Sequence, residues 1–370
     1  MLHGVLLDAL CAIPGRGACT DAERRAARLL ADELAERGHG AWIDTHWLRP
    51  GWATAVALAA FLGVAGSLLS VAVPLAGVIL AVVAAVCLAL EALGHSSPLR
   101  LLGRRRATQA VAAMPEPSDA VTLVIAAPYD APRRGLVLND RWRALGVRLR
   151  SVRGCLAAGA LVIAGAAALR LGGTDALWVG VLQLVPTVAL IGALAAAADI
   201  ALSEFSPGAG TASAAAVAVE LYDELVREAP DRLAPALLLY GGGGSQVLRA
   251  QLRRERLDPH GAVLLELGPC TGGTPGWATR HPQLRHAAGV AAAALELPPG
   301  RTPSRPAATR RLPAIRVACL DARGLAARSH QPDDTPEHAD PDAATAALDL
   351  ALGVADALDG EVARSRMRTA

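Results

Sequence analysis

Two kinds of hydrophobic spacing alternate along this chain. From Trp52 to Leu93 apolar residues run almost unbroken, with Glu91 the single charge. A helix rises about 1.5 Å per residue, and about 20 residues cross a hydrocarbon layer of about 30 Å. This stretch therefore predicts two membrane spans, broken near Ser70 to Pro74. Cys155 to Leu169, extended at one end by Arg170, and Ala176 to Ala198 predict a second pair. Ala-rich core helices of a soluble protein are the alternative, but runs of this kind in two hairpins are hard to bury. Their many Ala and Gly residues suit close helix packing.

Elsewhere the spacing is that of ordinary α/β elements. Residues 12 to 19 are turn-rich, with Pro14, Gly15 and Gly17. Thr20 followed by Glu23 is a capping-box signature that starts a helix near Asp21. Ala26, Ala27, Leu29, Leu30 and Leu34 form its buried stripe, and Gly38 ends it. Ala41 to Trp47 reads as a short strand. Val121 to Ala127, Ala236 to Tyr240, Ala262 to Leu267 and Pro313 to Leu320 are apolar runs of strand length. Ala212 to Val226 is an amphipathic helix ending in acids, and Ala343 to Leu358 reads as the closing helix. Strands alternating with helices predict an α/β fold with a mainly parallel sheet flanked by helices, interrupted by two inserted transmembrane α-helical hairpins. The expected divisions are 1–50, 96–150 and 201–360 for the α/β domain, 51–95 and 151–200 for the hairpins, and 361–370 for a basic tail.

Composition sharpens this picture. The 370 residues are 53% hydrophobic but only 3% aromatic, so the apolar content is mostly Ala, Leu and Val and exceeds an ordinary core. Net charge is +2, which argues against nucleic-acid binding. No lysine occurs, and arginines concentrate between the second and third predicted spans: Arg100, Arg104, Arg105, Arg106, Arg133, Arg134, Arg141, Arg143, Arg148, Arg150 and Arg153. The positive-inside bias places that segment, both termini and the soluble domain in the cytoplasm of a multi-pass protein of the cell membrane. The lipid bilayer is thus the first expected partner. Cys11, Cys19, Cys87, Cys155, Cys270 and Cys319 form no CxxC pair, consistent with a reducing compartment. The opening residues lack the basic start of a signal peptide.

Several stretches could carry chemistry. Gly241 to Gly244, after a strand and before a helix, stands where α/β folds cradle phosphate, but no Lys follows, and a permissive tight turn reads as well. No G-x-S-x-G elbow exists. Cys270 lies in a Gly/Pro loop without an assignable His or Asn partner. His281 and His286 read as surface histidines. Ala327 to Asp340 places His330 just before an acidic, proline-punctuated turn, which is either a solvated turn or a loop bearing a metal ligand.

Taken in order, the soluble segments resemble family twenty-eight of the metallopeptidases, the di-zinc aminopeptidases. Pro14-Gly-Arg16 with the capped helix and Gly38 is similar to that family's opening segment. Val121 to Asp130, ending Pro-Tyr-Asp, resembles its strand ending in His-x-Asp. Ser206 to Ser213 is similar to its Gly-Ala-x-Asp-x-x-Ser loop, and Leu239 to Ser245 stands where its Glu-Glu loop stands. Leu265 to Gly268 is similar to its ligand strand, Ser304 to Ile315 to its Ile-Pro-Ala segment, and Ser329 to Pro336 to its closing His…Asp-Thr.

That resemblance implies a pair of zinc ions that activate water while a glutamate moves protons. Carried over by position, the first histidine is Pro128, the bridging aspartate falls at Gly210 or Thr211, and the adjacent glutamates fall within Gly241 to Gly244. Glu266 and His330 remain as metal ligands, and Asp130 remains as the orienting acid beside the lost histidine. No catalytic residue carries over. The expected function is a membrane-embedded aminopeptidase-like protein that binds or scaffolds a peptide or membrane partner without hydrolysis and without a cofactor. Two alternatives stand beside it. One is an active zinc exopeptidase with a mononuclear site built from Glu266, His330 and His338 or Asp334. The other is a membrane-structural or transport accessory protein, weakly supported because the spans carry almost no ionisable residues.

Overall fold

The computed structural model describes the chain apart from residues 1, 117, 149–151, 259–260, 298–303, 305, 307–311 and 370. The elements run α1 (Leu2–Cys11), α2 (Asp21–Glu36), β1 (Trp42–Leu48), α3 (Trp52–Ala72), α4 (Pro74–Ala92), β2 (Arg106–Ala113) and β3 (Val121–Pro128). There follow α5 (Asp140–Arg148), α6 (Val152–Leu171), α7 (Leu177–Leu202), α8 (Ala209–Glu228), β4 (Leu233–Tyr240) and α9 (Ser245–Arg254). The chain closes with β5 (Ala262–Leu267), β6 (Thr274–Thr279), α10 (Pro282–Ala294), β7 (Ala314–Leu320) and α11 (Pro341–Thr369). These form two compact units, one of Met1–Leu48, Ala107–Pro132 and Phe205–Ala370, the other of Arg49–Arg106 and Arg133–Glu204. Residues 96–106 and 133–148 thus group with the apolar helices rather than with the sheet.

The first unit is built on a seven-stranded sheet in the order β1-β2-β4-β3-β5-β7-β6. β4, β3, β5 and β7 are parallel neighbours, while β2 pairs antiparallel with β4 and β6 antiparallel with β7. The sheet is therefore mixed rather than mainly parallel. Both antiparallel strands lack the continuous apolar run that marks a fully buried strand: β2 reads Arg-Ala-Thr-Gln-Ala-Val-Ala-Ala, and β6 contains Pro275 and Gly276. β6 is an edge strand, where proline is tolerated.

Alternation along the strands divides the core. Odd-numbered residues such as Leu123, Ile125, Leu237, Leu265 and Val317 face the layer of α1, α2, α8, α10 and α11. Even-numbered ones such as Val124, Ala126, Leu238 and Leu264 join Val247, Leu248 and Leu252 of α9. Helix α2 starts where the sequence places it: the Thr20 side chain accepts from the Glu23 amide at 3.1 Å. It ends in a Schellman turn, with the Gly38 amide donating to Ala35 (3.0 Å) and that of His39 to Leu34 (2.9 Å), Gly38 lying at φ +84.

In the second unit, α3, α4, α6 and α7 are each long and apolar enough to cross a membrane. They enclose a core of small residues, including Ala60, Ala84, Ala85 and Ala160, with Ile163 and Leu190. Contact between α3 and α4 is closest at two glycines: a Cβ on Gly77 would lie 2.6 Å from the Ser70 Cα, and one on Gly66 3.0 Å from the Gly77 carbonyl oxygen. Outward positions such as Leu68, Ile79, Leu161 and Val185 are exposed.

The helical unit also holds a polar cluster that its apolar spacing conceals. Gln183 Nε2 donates to the Ser67 carbonyl (2.7 Å) and to the Ser70 hydroxyl (3.0 Å). Arg170 Nη1 donates to Ser70 Oγ (2.6 Å) and Gln183 Oε1 (2.7 Å), and Ser67 and Thr187 share a hydrogen bond of 2.6 Å. Helices α3, α6 and α7 are thereby tied together by groups that an apolar surrounding would otherwise leave unpaired. Gln183→Leu removes the hub and strands its partners. The expected cost is about 1–2 kcal/mol, read as earlier unfolding of the detergent-solubilised chain. An unchanged transition would show that the cluster adds nothing to helix association.

Candidate functional site

In open α/β sheets, ligands bind beyond the carboxyl ends of the parallel strands. Here that region consists of the loops after β3, β4, β5 and β7, together with the N-terminus of α8. Arg16 holds it together. This side chain has no solvent exposure. Its Nε donates to the Tyr129 carbonyl (3.1 Å), and its Nη1 donates to the carbonyls of Leu10 (2.9 Å) and Pro207 (2.8 Å). Nη2 reaches the Gly208 carbonyl, and the Arg16 carbonyl accepts from the Ala131 amide (2.9 Å). The end of α1, the loop after β3 and the approach to α8 are thus fixed by one guanidinium.

Glu23 is the site residue that the sequence pattern conceals. Its capping-box role is only half fulfilled: the Glu23 amide donates to Thr20, but its carboxylate accepts from the Cys19 amide, the Thr108 hydroxyl and the amides of Gln109 (3.2 Å) and Gly242 (3.1 Å). Burial raises its pKa, and these hydrogen bonds offset part of the rise. The carboxylate lies against the glycine run. A Cβ on Gly241 would lie 1.9 Å from Glu23 Oε1, and one on Gly242 would lie 2.1 Å from the Ala18 Cβ and 2.2 Å from its Cα. The Gly241 amide donates to the Gln109 carbonyl (3.0 Å). The glycines are needed for this close approach, and the amides of Gly241 and Gly242 are already committed, so these two cannot serve a phosphate cradle.

This architecture has counterparts among solved structures. Its sequence matches no family model and none of the curated proteins. A Zn-dependent exopeptidase from Parabacteroides distasonis superposes with a TM-score of 0.55 at 12% identity, over 95% of this chain and 96% of that one. Glutaminyl cyclase from Porphyromonas gingivalis gives 0.56 at 10% identity over 96% of each chain. A zinc aminopeptidase from Bacillus subtilis gives 0.55 at 10% identity, over 96% and 93%. The fold is that of the zinc exopeptidases and glutaminyl cyclases. At these identities the likeness extends to the fold alone.

Whether the residues present suit a zinc ion is decided by where their oxygens and nitrogens already point. Glu266 sits on β5 facing the α9 layer, almost fully buried. The Tyr240 hydroxyl donates to its Oε1 (3.2 Å), and the Arg316 guanidinium lies 3.4 Å away. Asp334, also buried, accepts from the Gly210 amide (2.9 Å) and the Ser206 hydroxyl (3.5 Å), while its carbonyl accepts from the Ala209 amide (3.1 Å). It caps the N-terminus of α8. A Cβ on Gly210 would meet the Pro269 ring at 3.2 Å, and the Thr211 hydroxyl donates to the Asp130 carbonyl (2.7 Å).

His330, half-buried with φ +70, lies in the loop that delivers Asp334. His338 Nδ1 pairs with the Thr335 hydroxyl at 3.0 Å. A zinc site needs three or four such donors converging. Among the described residues no group of three or more His, Cys, Asp or Glu converges in that way. Glu266 lies beside a guanidinium and Asp334 caps a helix, so each of these carboxylates already has a partner.

Other candidates resolve individually. Cys270 is buried, its thiol raised well above the usual value by hydrogen bonding with Cys319 and by burial, so it is a poor nucleophile. His281 immediately precedes α10, and His286 is exposed on that helix. Much of Ser304 to Ile315 lies outside the described residues.

Asp130, beyond the end of β3, is the acid of this region whose carboxyl is least compensated. Burial, reinforced by the negative charge of Glu23, raises it from 3.8 to about 7, and Arg16 pulls in the other direction. The native state therefore holds a proton that the unfolded chain releases. Stability is highest below the unfolded pKa and falls as pH rises from 3.8 to about 7. Glu23, also raised, acts in the same sense. Asp130→Asn is expected to flatten this decline, measured as thermal midpoint against pH. An undiminished slope would assign it to other groups.

The steric argument has its own test. Gly242→Ala drives a methyl into the Ala18 backbone and is expected to cost about 2–3 kcal/mol in denaturant unfolding of the sheet unit. A neutral result would show that the loop 17–19 can give way.

Proposed function

We propose that this chain is a membrane-embedded protein that keeps the zinc-exopeptidase fold without its hydrolytic centre and works by binding or scaffolding a peptide or a membrane partner. One observation carries the reading. The space beside Gly241 and Gly242, where the resembling family has its adjacent glutamates, is taken by the Glu23 carboxylate and by Ala18. A proton-shuttling glutamate at either position would have to displace them. The Glu266–Arg316 pair adds support, since a carboxylate facing a guanidinium is electrostatically compensated without a metal.

On this reading the four apolar helices cross the cell membrane, and the arginine-rich segment, both termini and the sheet unit face the cytoplasm. Hydrolysis through a single ion held by Glu266, His330 and either His338 or Asp334 would require Glu266 and Asp334 to abandon the partners just described.

Metal analysis and turnover on the same purified full-length sample test the proposal. Substoichiometric zinc, with no chelator-sensitive release of aminoacyl reporters and no cyclisation of an N-terminal glutaminyl peptide, is the expected result. A tightly held divalent ion whose removal abolishes either reaction, and whose binding is lost in His330→Ala, would overturn it.

A further inference from the structure

At one end of the helical unit, α3 begins at Trp52, α4 ends at Ala92, α6 begins at Val152 and α7 ends at Leu202. The connecting segments are pinned to this end. Arg100 makes a two-pronged pair with the buried carboxylate of Glu91 (2.7 and 2.6 Å). The Arg153 guanidinium lies 4.6 Å above the Trp52 ring centroid. Arg133 donates to the Ser203 carbonyl (2.5 Å), Arg134 pairs with Glu204, and the Leu136 amide donates to Asp199 (2.6 Å).

What these anchored segments leave outside is unusual for a water-facing surface. Leu101, Leu102, Leu136 and Trp142 are 65%, 75%, 77% and 57% exposed. Arg104, Arg105, Arg106 and Arg141 are exposed beside them in the chain, and among the described residues no acidic side chain pairs with any of the four. The opposite end, at residues 72–74 and 171–177, offers exposed Leu177 and Trp178 but only Arg170 and Asp175 as charges, and these two form an ion pair at 3.7 Å. Exposed leucine and tryptophan interleaved with unpaired arginine suits a boundary where hydrocarbon meets fixed negative charge.

We propose that this end is a binding surface for anionic phospholipid. Arg104, Arg105, Arg106 and Arg141 would engage headgroup phosphates while Leu101, Leu102, Leu136 and Trp142 enter the acyl boundary. Because the connecting segments that carry these groups are fastened to the helices by the Arg100–Glu91 and Leu136–Asp199 contacts, the surface is preformed. This rests on the proposal that the helices cross a membrane, but it is independent of whether the sheet unit binds metal.

The test is reconstitution of the full chain into vesicles of phosphatidylcholine alone and of an equal mixture with phosphatidylglycerol, followed by gentle detergent release and mass measurement of retained lipid. Phosphatidylglycerol is expected to be retained in preference, the preference weakening at high salt and falling about fivefold for each arginine removed in the series Arg104→Gln, Arg105→Gln and Arg106→Gln. Equal retention of both lipids, or a preference untouched by the triple variant, would overturn the proposal. So would competition by inorganic phosphate at matched concentration, which would point to a free-anion site. Salt dependence in the unaltered chain gives a second readout should the triple variant fold poorly. Stable insertion into phosphatidylcholine without headgroup preference defeats this inference alone, whereas failure to insert at all defeats the membrane reading with it.

Discussion

A guanidinium without water has to satisfy its donors within the protein, and in this fold Arg16 directs four to backbone carbonyls and one toward Cys11 Sγ (3.9 Å). Those carbonyls belong to three segments far apart in sequence: the end of α1, the first residue after β3 and the approach to α8. Removing the charge would leave several buried carbonyls unpaired at once, so the loops at the carboxyl end of the sheet are positioned together or not at all. Gly208 shows how tight the arrangement is. It adopts φ +76, and a Cβ there would lie 3.0 Å from Arg16 Nη2 and 2.9 Å from the Ala131 Cβ.

Around this fixed point three buried carboxylates have found their own compensation. Glu23 accepts from four donors, Asp334 accepts from the first turn of α8, and Glu266 faces Arg316 and the Tyr240 hydroxyl. The same strands and loops that would converge ligands on an ion here direct carboxylates toward internal partners. A metal entering here would have to compete with the present partners of Glu266 and Asp334.

Much of the architecture was legible because it is written in short-range signals. The Thr20 cap, the stripe of Ala26, Leu30 and Leu34, the stop at Gly38 and the four parallel strands all follow from periodicity and turn chemistry. β2 and β6 were not legible, because their identity depends on pairing with β4 and β7 rather than on an apolar run of their own. The candidate site was legible only in outline. Glu266 and Asp130 could be placed at strand ends, yet the partner of Glu266 is Arg316 on the neighbouring strand β7, a contact between adjacent strands that spacing along the chain cannot give. Glu23 was visible only as a cap, since a capping-box glutamate normally turns back to its own helix start, whereas this one, besides accepting from Cys19, reaches forward to residues 108, 109 and 242. The polar knot of Ser67, Ser70, Arg170, Gln183 and Thr187 is dispersed over runs whose mean character is apolar, so it appears only when the helices are packed.

Asp130 shows what the remaining imbalance means for function. It stands next to Tyr129, whose phenol is buried, donates to the Gln109 carbonyl (3.0 Å) and is held well above its usual pKa by burial and by the charges of Glu23 and Asp130. Neither group ionises easily while Glu23 keeps its charge, and Asp130 holds its proton to higher pH than an ordinary carboxyl. A carboxyl that keeps its proton can both donate and accept a hydrogen bond, as with an amide or an amine. On the proposed reading, this carboxyl would meet a polar group of a bound peptide rather than activate water.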